Sequence, residues 1–271
     1  MARKEMPTGL YTSVSQVKCW LRCPRQFELR YVRGVAPEFL PVNLAFGTAV
    51  HEALAAHYCE IKASGTPLRR DLMLDVFRFA WERARDGKVP LQGDEDEEVD
   101  VHALTDKGVT MLHSFAEHAA KAPPFEVVAV EHPFTVPLHD PDTGEILEEA
   151  LVGFIDLIIV EKGQRMVVEH KTAARKYGAD QLDHDLQMTG YKIAARSAGM
   201  GEVGLRFQIL VKTKVPTVQV ADIERTAQDE DDFLRTAGGV LKAIDGGVSY
   251  PIRGWQCRGC PYHHACGRVA R

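Results

Sequence analysis

The stretch that decides the fold is Phe154-Ile-Asp156-Leu-Ile-Ile-Val160, followed by Glu161-Lys-Gly-Gln164 and then Met166-Val-Val-Glu169-His-Lys171-Thr172. Two apolar, β-branched runs flank a short polar link, the pattern of an antiparallel hairpin. An even loop centred between Lys162 and Gly163 sets Asp156 across from Glu169, and a one-residue slip would send them to opposite faces. Glu169 and Lys171, two apart in a strand, share a face. Two adjacent carboxylates leaving water repel each other and call for a cation between them. Oxygen ligands of this kind suit Mg²⁺ or Mn²⁺. Beside such an ion, Lys171 could position or deprotonate water, or meet charge growing on a phosphate. A structural Asp/Glu–Lys salt bridge would use the same residues.

Outward from the hairpin, Phe125 to Val136 alternates as a strand, Leu147 to Val160 is a long apolar strand and Asp140-Pro-Asp-Thr-Gly144 is the turn between them. Val203 to Val211 reads as another strand, and helices are expected over Asp180–Ala198 and around 229–245. Upstream, helices are expected over Ser13–Arg33, with Ser13 and Gln16 in capping-box spacing, over Gly47–Ile61, and at 69–86 and 101–121. The acidic run Asp94-Glu-Asp-Glu-Glu98, with Asp100 beyond it, reads as an exposed loop.

Of six cysteines, three fall in ten residues as Cys257-x2-Cys260-x5-Cys266. Three thiolates leave a tetrahedral centre one ligand short. Cys23, followed by proline as Cys260 is, comes first as the fourth, and Cys19 second; a zinc site could recruit His263 or His264 instead. The spacing fits four-cysteine zinc and [4Fe–4S] alike. Cys59, on an apolar helix, is expected to be a small buried hydrophobe.

The 271 residues carry 45% hydrophobic and 26% charged side chains and a net charge of −5, the balance of an ordinary globular protein. Residues 1–36 carry +5 and 251–271 carry +4, so −14 lies between; two basic ends can attract a polyanion. No apolar run reaches the ~20 residues of a membrane helix, and the start lacks a signal-peptide core, so a cytoplasmic protein is expected. His51-Glu52…His57 misses the zinc-protease spacing. Gly199-x-Gly-x-x-Gly204 precedes a strand rather than a helix, against the dinucleotide fingerprint, and no Walker A motif for ATP occurs.

Taken in order, Gly47-Thr-Ala-Val-His51, Asp156, Glu169-His-Lys171 and Gln187-Met-Thr-Gly-Tyr191 resemble the PD-(D/E)xK nuclease signature in its RecB-like form. Cys23, Cys257, Cys260 and Cys266 look like the iron–sulfur branch, which includes the AddB nuclease domain and the exonucleases of CRISPR adaptation. The resemblance implies an α/β, restriction-endonuclease-like fold: a mixed central sheet flanked by helices, a helical N-terminal half and an iron–sulfur subdomain built from both chain ends. It implies one nuclease domain over 1–271, with a helical part at 13–124, a catalytic core at 125–213 and a closing segment at 214–271. It implies metal ligands His51, Asp156, Glu169 and the His170 carbonyl, a catalytic Lys171, and Gln187 and Tyr191 beside DNA. The activity implied is Mg²⁺- or Mn²⁺-dependent hydrolysis of DNA, mainly as a single-strand exonuclease, often 5′→3′, alone or beside a helicase or CRISPR-adaptation protein. The competing class is a zinc-stabilised, catalytically silent DNA-binding adaptor.

Overall fold

In the computed structural model, which describes residues 10–93 and 99–267, the central hairpin is formed by β5 (Ile146–Glu161) and β6 (Gln164–Ala173). Its ladder runs from Glu161–Gln164 to Leu157–Val168 in the register expected from sequence. Lys162 and Gly163 both take positive φ, 51° and 80°, as a two-residue turn matched to strand twist requires.

Around the hairpin the sheet is mixed. β4 (Phe125–His139) runs antiparallel to β5, and β7 (Gly204–Val211) lies parallel to β6. β8 (Thr217–Ile223) is antiparallel to β7, and the short β1 (Tyr11–Thr12) pairs parallel with the early part of β5. A separate two-residue pair joins β2 (Leu40–Pro41) to β3 (Leu91–Gln92).

Strand alternation sends apolar side chains to both faces. On one face Leu157, Ile159, Val168 and Leu210 pack against α3 (Val42–Ser64), α4 (Arg70–Arg85) and α5 (Val101–Ala119). On the other, Ile158, Val167, Phe207 and Ile209 pack under α7 (Leu186–Ser197). A third cluster ties α1 (Val14–Arg22), α7 and α8 (Ala227–Asp245) to Val136, Leu138 and Leu151. The mixed sheet with flanking helices agrees with the fold expected from the motifs.

Two expected helices are interrupted. The first stops at Cys23, which is extended (φ −167°, ψ 107°) because Pro24 follows. The chain resumes as the single turn α2 (Pro24–Phe27) and a π-helical turn, Glu28–Val32. Ser13 caps α1 by accepting from Gln16 N–H at 3.2 Å. The helix expected over Asp180–Ala198 divides into α6 (Ala179–Asp183) and α7, where Asp185 leaves the helix to cap α7 through Gln187 N–H. Cys59 corrects the sequence reading. The inward stripe of α3 is Ala53, Leu54, His57 and Tyr58, and Cys59, one step past it, is exposed. The acidic run Asp94–Glu98 lies outside the described residues; Asp100 caps α5 through Ala103 N–H at 2.9 Å.

The chain ends dock on one another. Arg25 N–H donates to Tyr250 O at 3.1 Å, Glu38 N–H donates to Pro261 O at 2.9 Å, and Ser249 Oγ bonds the Glu28 carboxylate.

Candidate active site

The β5–β6 ladder ends one pair short of Asp156 and Glu169. There the Asp156 side chain substitutes for the missing rung: Oδ2 accepts from His170 N–H at 2.9 Å. The opening mouth of the hairpin forms one wall of a cleft of about 740 Å³, with the start of α1, α3, β4 and α7 as the others.

α3 comes close because of Gly47. A Cβ there would sit 3.3 Å from Thr172 Oγ1 on β6, so glycine lets the helix lie against the strand. One turn on, His51 reaches the carboxylates, with Nδ1 3.5 Å from Asp156 Oδ2. Burial holds its pKa below the ordinary value despite Glu169, which favours the neutral, ligating imidazole.

Glu131 completes a group that the motifs do not include. It lies between the pairs Val130–Leu157 and His132–Ile155, hence across from Asp156. Its backbone is left-handed, φ 49°, a conformation that costs a non-glycine residue about 1–3 kcal/mol and gathers at functional sites. One ligand atom each from His51, Glu131 and Asp156 lies within 4.8 Å of the others.

Glu169 is 1% exposed. One of its oxygens accepts from Lys171 Nζ, and Oε2 is buried with no hydrogen-bond partner. Burial, then the neighbouring Glu169 charge, pushes the Asp156 carboxyl well above its usual range. Two carboxyl groups crowded in one buried place, an orphaned buried oxygen and a neutral imidazole make a donor set that fits a divalent cation.

Burial would lower the Lys171 pKa, but the Glu169 carboxylate outweighs it and holds the ammonium charged. Lys171 Nζ also donates to Gln187 Oε1 at 2.7 Å, Gln187 Nε2 to Tyr191 OH at 2.8 Å, and Tyr191 OH to Phe154 O at 2.6 Å. The i, i+4 spacing of Gln187 and Tyr191 on α7 stacks them along one helix face. Burial keeps Tyr191 a phenol, so it serves as a donor. The imidazole of His170 points elsewhere: it is buried, stacked 5.4 Å from Tyr58, and its pKa falls to about 3 through burial.

At the joined chain ends, Cys23, Cys257, Cys260 and Cys266 line one small cavity, and all are free thiols. Cys19 is also free, with its thiol pushed up to about 11 by burial. His264 Nδ1 is engaged with Glu38 Oε2 at 3.2 Å, and His263 lines the cavity.

The PD-(D/E)XK nuclease superfamily model matches residues 11–267. Among solved structures, a candidate exonuclease from Eubacterium rectale superposes with a TM-score of 0.55 at 15% identity, covering 96% of this chain and 89% of that one. The protein SSO0001 gives a TM-score of 0.40 at 12% identity, over 93% and 94% of the two chains. A search of curated protein sequences finds no match.

Proposed function

As this chain belongs to the PD-(D/E)XK nuclease superfamily, we propose that it is a Mg²⁺- or Mn²⁺-dependent deoxyribonuclease that digests single-stranded DNA from an end. The observation that carries the reading is the open mouth of the hairpin, where Asp156 and a half-satisfied Glu169 meet beside a charged Lys171. His51, Glu131, Asp156 and Glu169, with the His170 carbonyl, would hold the metal. When bound, the metal supplies Lewis acidity toward the phosphate and lowers the pKa of the attacking water.

The remaining steps belong to the side chains. Water adds to phosphorus and releases one proton to solvent, the bond to the departing sugar oxygen breaks, and that oxygen takes up a proton from solvent. Lys171, held as a cation, donates hydrogen bonds to the phosphoryl oxygens as negative charge grows on them, rather than removing a proton from water. Gln187 and Tyr191 are positioning residues that fix the ammonium through the hydrogen-bond chain ending at Phe154 O. The cleft sides supplied by α1 and α3 leave room for a threaded strand, and the family resemblance favours 5′→3′ digestion.

The same reading assigns Cys23, Cys257, Cys260 and Cys266 to a [4Fe–4S] cluster. The four thiols line one cavity where the N-terminal helices meet the C-terminal segment, which supports a single group held by all of them. No helix among the described residues is long and apolar enough to cross a membrane. A cytoplasmic setting, which keeps thiols reduced, and work beside a helicase or CRISPR-adaptation protein complete the proposal.

The test is digestion of 5′- and 3′-end-labelled single strands and duplexes by anaerobically purified protein, with Mg²⁺, Mn²⁺ or EDTA. Single strands should shorten from one end with metal, stay intact in EDTA, and resist the Glu169→Gln variant. Wild-type protein that leaves single strands whole in both metals overturns the nuclease reading.

A further inference from the structure

Trp255 stands 79% exposed beside the cysteine cavity. It opens a one-turn helix, Trp255–Cys257, and the guanidinium of Arg22, the last residue of α1, lies 5.6 Å from the indole centroid. We propose that Trp255 and Arg22 form a stacking platform for an unpaired base of single-stranded DNA, a few nucleotides from the catalytic cleft. The proposal rests on the DNA nuclease reading above and adds to it where the strand is gripped.

The turn that carries the indole is pinned. Gln256 Nε2 donates to Ile252 O at 3.1 Å, Cys257 N–H to Gly254 O at 3.0 Å, and Arg258 N–H to Trp255 O at 3.1 Å. A large ring on a fixed turn that leaves it in water contributes little to the core. The other two tryptophans differ: Trp81 is buried and bonds Thr105, and Trp20 packs against the α1–α7–α8 cluster. A pre-placed aromatic face is what base stacking uses, and it is indifferent to sequence because every base has a π-face.

The charge around the ring fits a polyanion. Arg22, Arg30, Arg253 and Arg258 are exposed, and residues 251–267 contain no acid. Such cations bind phosphates on either side of a stacked base, and Arg22 also extends the stacking surface.

Position connects the platform to the chemistry. α1 begins in the cleft, where Ser13, Val14 and Ser15 line the wall, and ends at Arg22. At 1.5 Å per residue the separation is about 10 Å, a distance that a few nucleotides of an unpaired strand can span.

The experiment uses tryptophan fluorescence in EDTA, so that nothing is cut. Oligo-dT of twelve residues should quench the wild type, and dT of two residues should not. Trp255→Phe should bind dT twelve within a few-fold of wild type and lose the quench. Trp255→Ala should bind it about five- to a hundred-fold more weakly. Phe79→Ala, which removes another largely solvated aromatic, this one under Arg83 on α4, should bind as wild type does. A quench that survives in Trp255→Phe, or equal binding by Trp255→Ala and wild type, overturns the platform. If the wild type still degrades single strands in Mn²⁺, that failure touches the platform alone. A wild type that neither binds nor cuts single strands defeats both readings.

Discussion

The hairpin mouth holds side chains whose removal should act in opposite directions. With no metal bound, Asp156 has its pKa raised by burial and by Glu169. The folded state therefore holds this proton more tightly than the unfolded chain, and the group lowers stability progressively as pH rises. Asp156→Asn keeps an acceptor for His170 N–H and removes the charge, so it should raise the unfolding midpoint in EDTA at pH 7. Glu169→Ala strands the Lys171 ammonium in a largely buried place, which should cost on the order of 3 kcal/mol, the low end for a broken buried pair. Urea unfolding in EDTA checks both signs, and a stabilised Glu169→Ala would mean that the ion pair adds nothing. Glu131→Gln should likewise hold or raise stability in EDTA. It should weaken Mn²⁺ binding at least tenfold by calorimetry, and undiminished binding would remove Glu131 from the ligand set. Asp156, Glu169, Lys171 and His51 were all legible from their order and spacing. Glu131 was not. Counting back from the Asp140–Gly144 turn sets it opposite Gly153, one place off the face of Asp156; the observed pair His139–Ile146 and the extra residues on β5 before Pro137–Ala150 are what bring it to Asp156.

At the scale of the element, α3 joins the cleft to the core, and His57 is its costliest residue. The ring sits edge-on to Tyr58 and Phe115, each 5.3 Å away, with Nδ1 buried and unpartnered. Burial lowers its pKa to about 4. The unfolded chain then binds the proton first, so stability present at neutral pH drains away as pH falls from about 6.5 toward 4. Between pH 7 and pH 5 this one group should cost on the order of 2 kcal/mol. His57→Leu should flatten that part of the stability profile, as read by urea midpoints at the two pH values; an unchanged slope would show that His57 is already hydrated. Elements marked by long apolar runs, such as α3, β5 and β6, could be found from the residues alone. The breaks could not. Cys23 and Asp185 fit a helical pattern locally, and what stops the helix is Pro24 in one case and a carboxylate capping the next helix in the other. β8 was missed because Thr217–Ile223 is half solvated on the sheet edge, where alternation carries few apolar residues.

For the molecule as a whole, the docked chain ends matter most. Cys23 and Cys257 are 234 positions apart in sequence. A cluster linking them closes most of the chain into one loop, which the loop-entropy relation values at about 5 kcal/mol, as much as many domains possess in total. Cys23→Ser should therefore give protein that lacks visible absorption, unfolds at a markedly lower denaturant concentration and is inactive, although no cysteine touches the phosphate. Cys59→Ser, on the outer face of α3, should match wild type in all three. Absorption spectra and guanidinium titrations decide it. A colourless wild type with one zinc per chain after anaerobic iron–sulfur reconstitution would replace the cluster with zinc and leave the nuclease site untouched.

That docking also sets a timetable. α1 leaves the ribosome well before α7, α8 and the turn at Trp255, which help to cover it. At about 5–20 residues per second, roughly 10–50 seconds separate Cys23 from its partners. Val136, Leu138 and Leu151 emerge early in that interval, but α8 and the turn at Trp255, which complete the cover of α1, follow only near its end. Each nascent molecule thus passes through a period of exposure to chaperones, oxidants and metal ions, and the length of that period is written into the order of the gene.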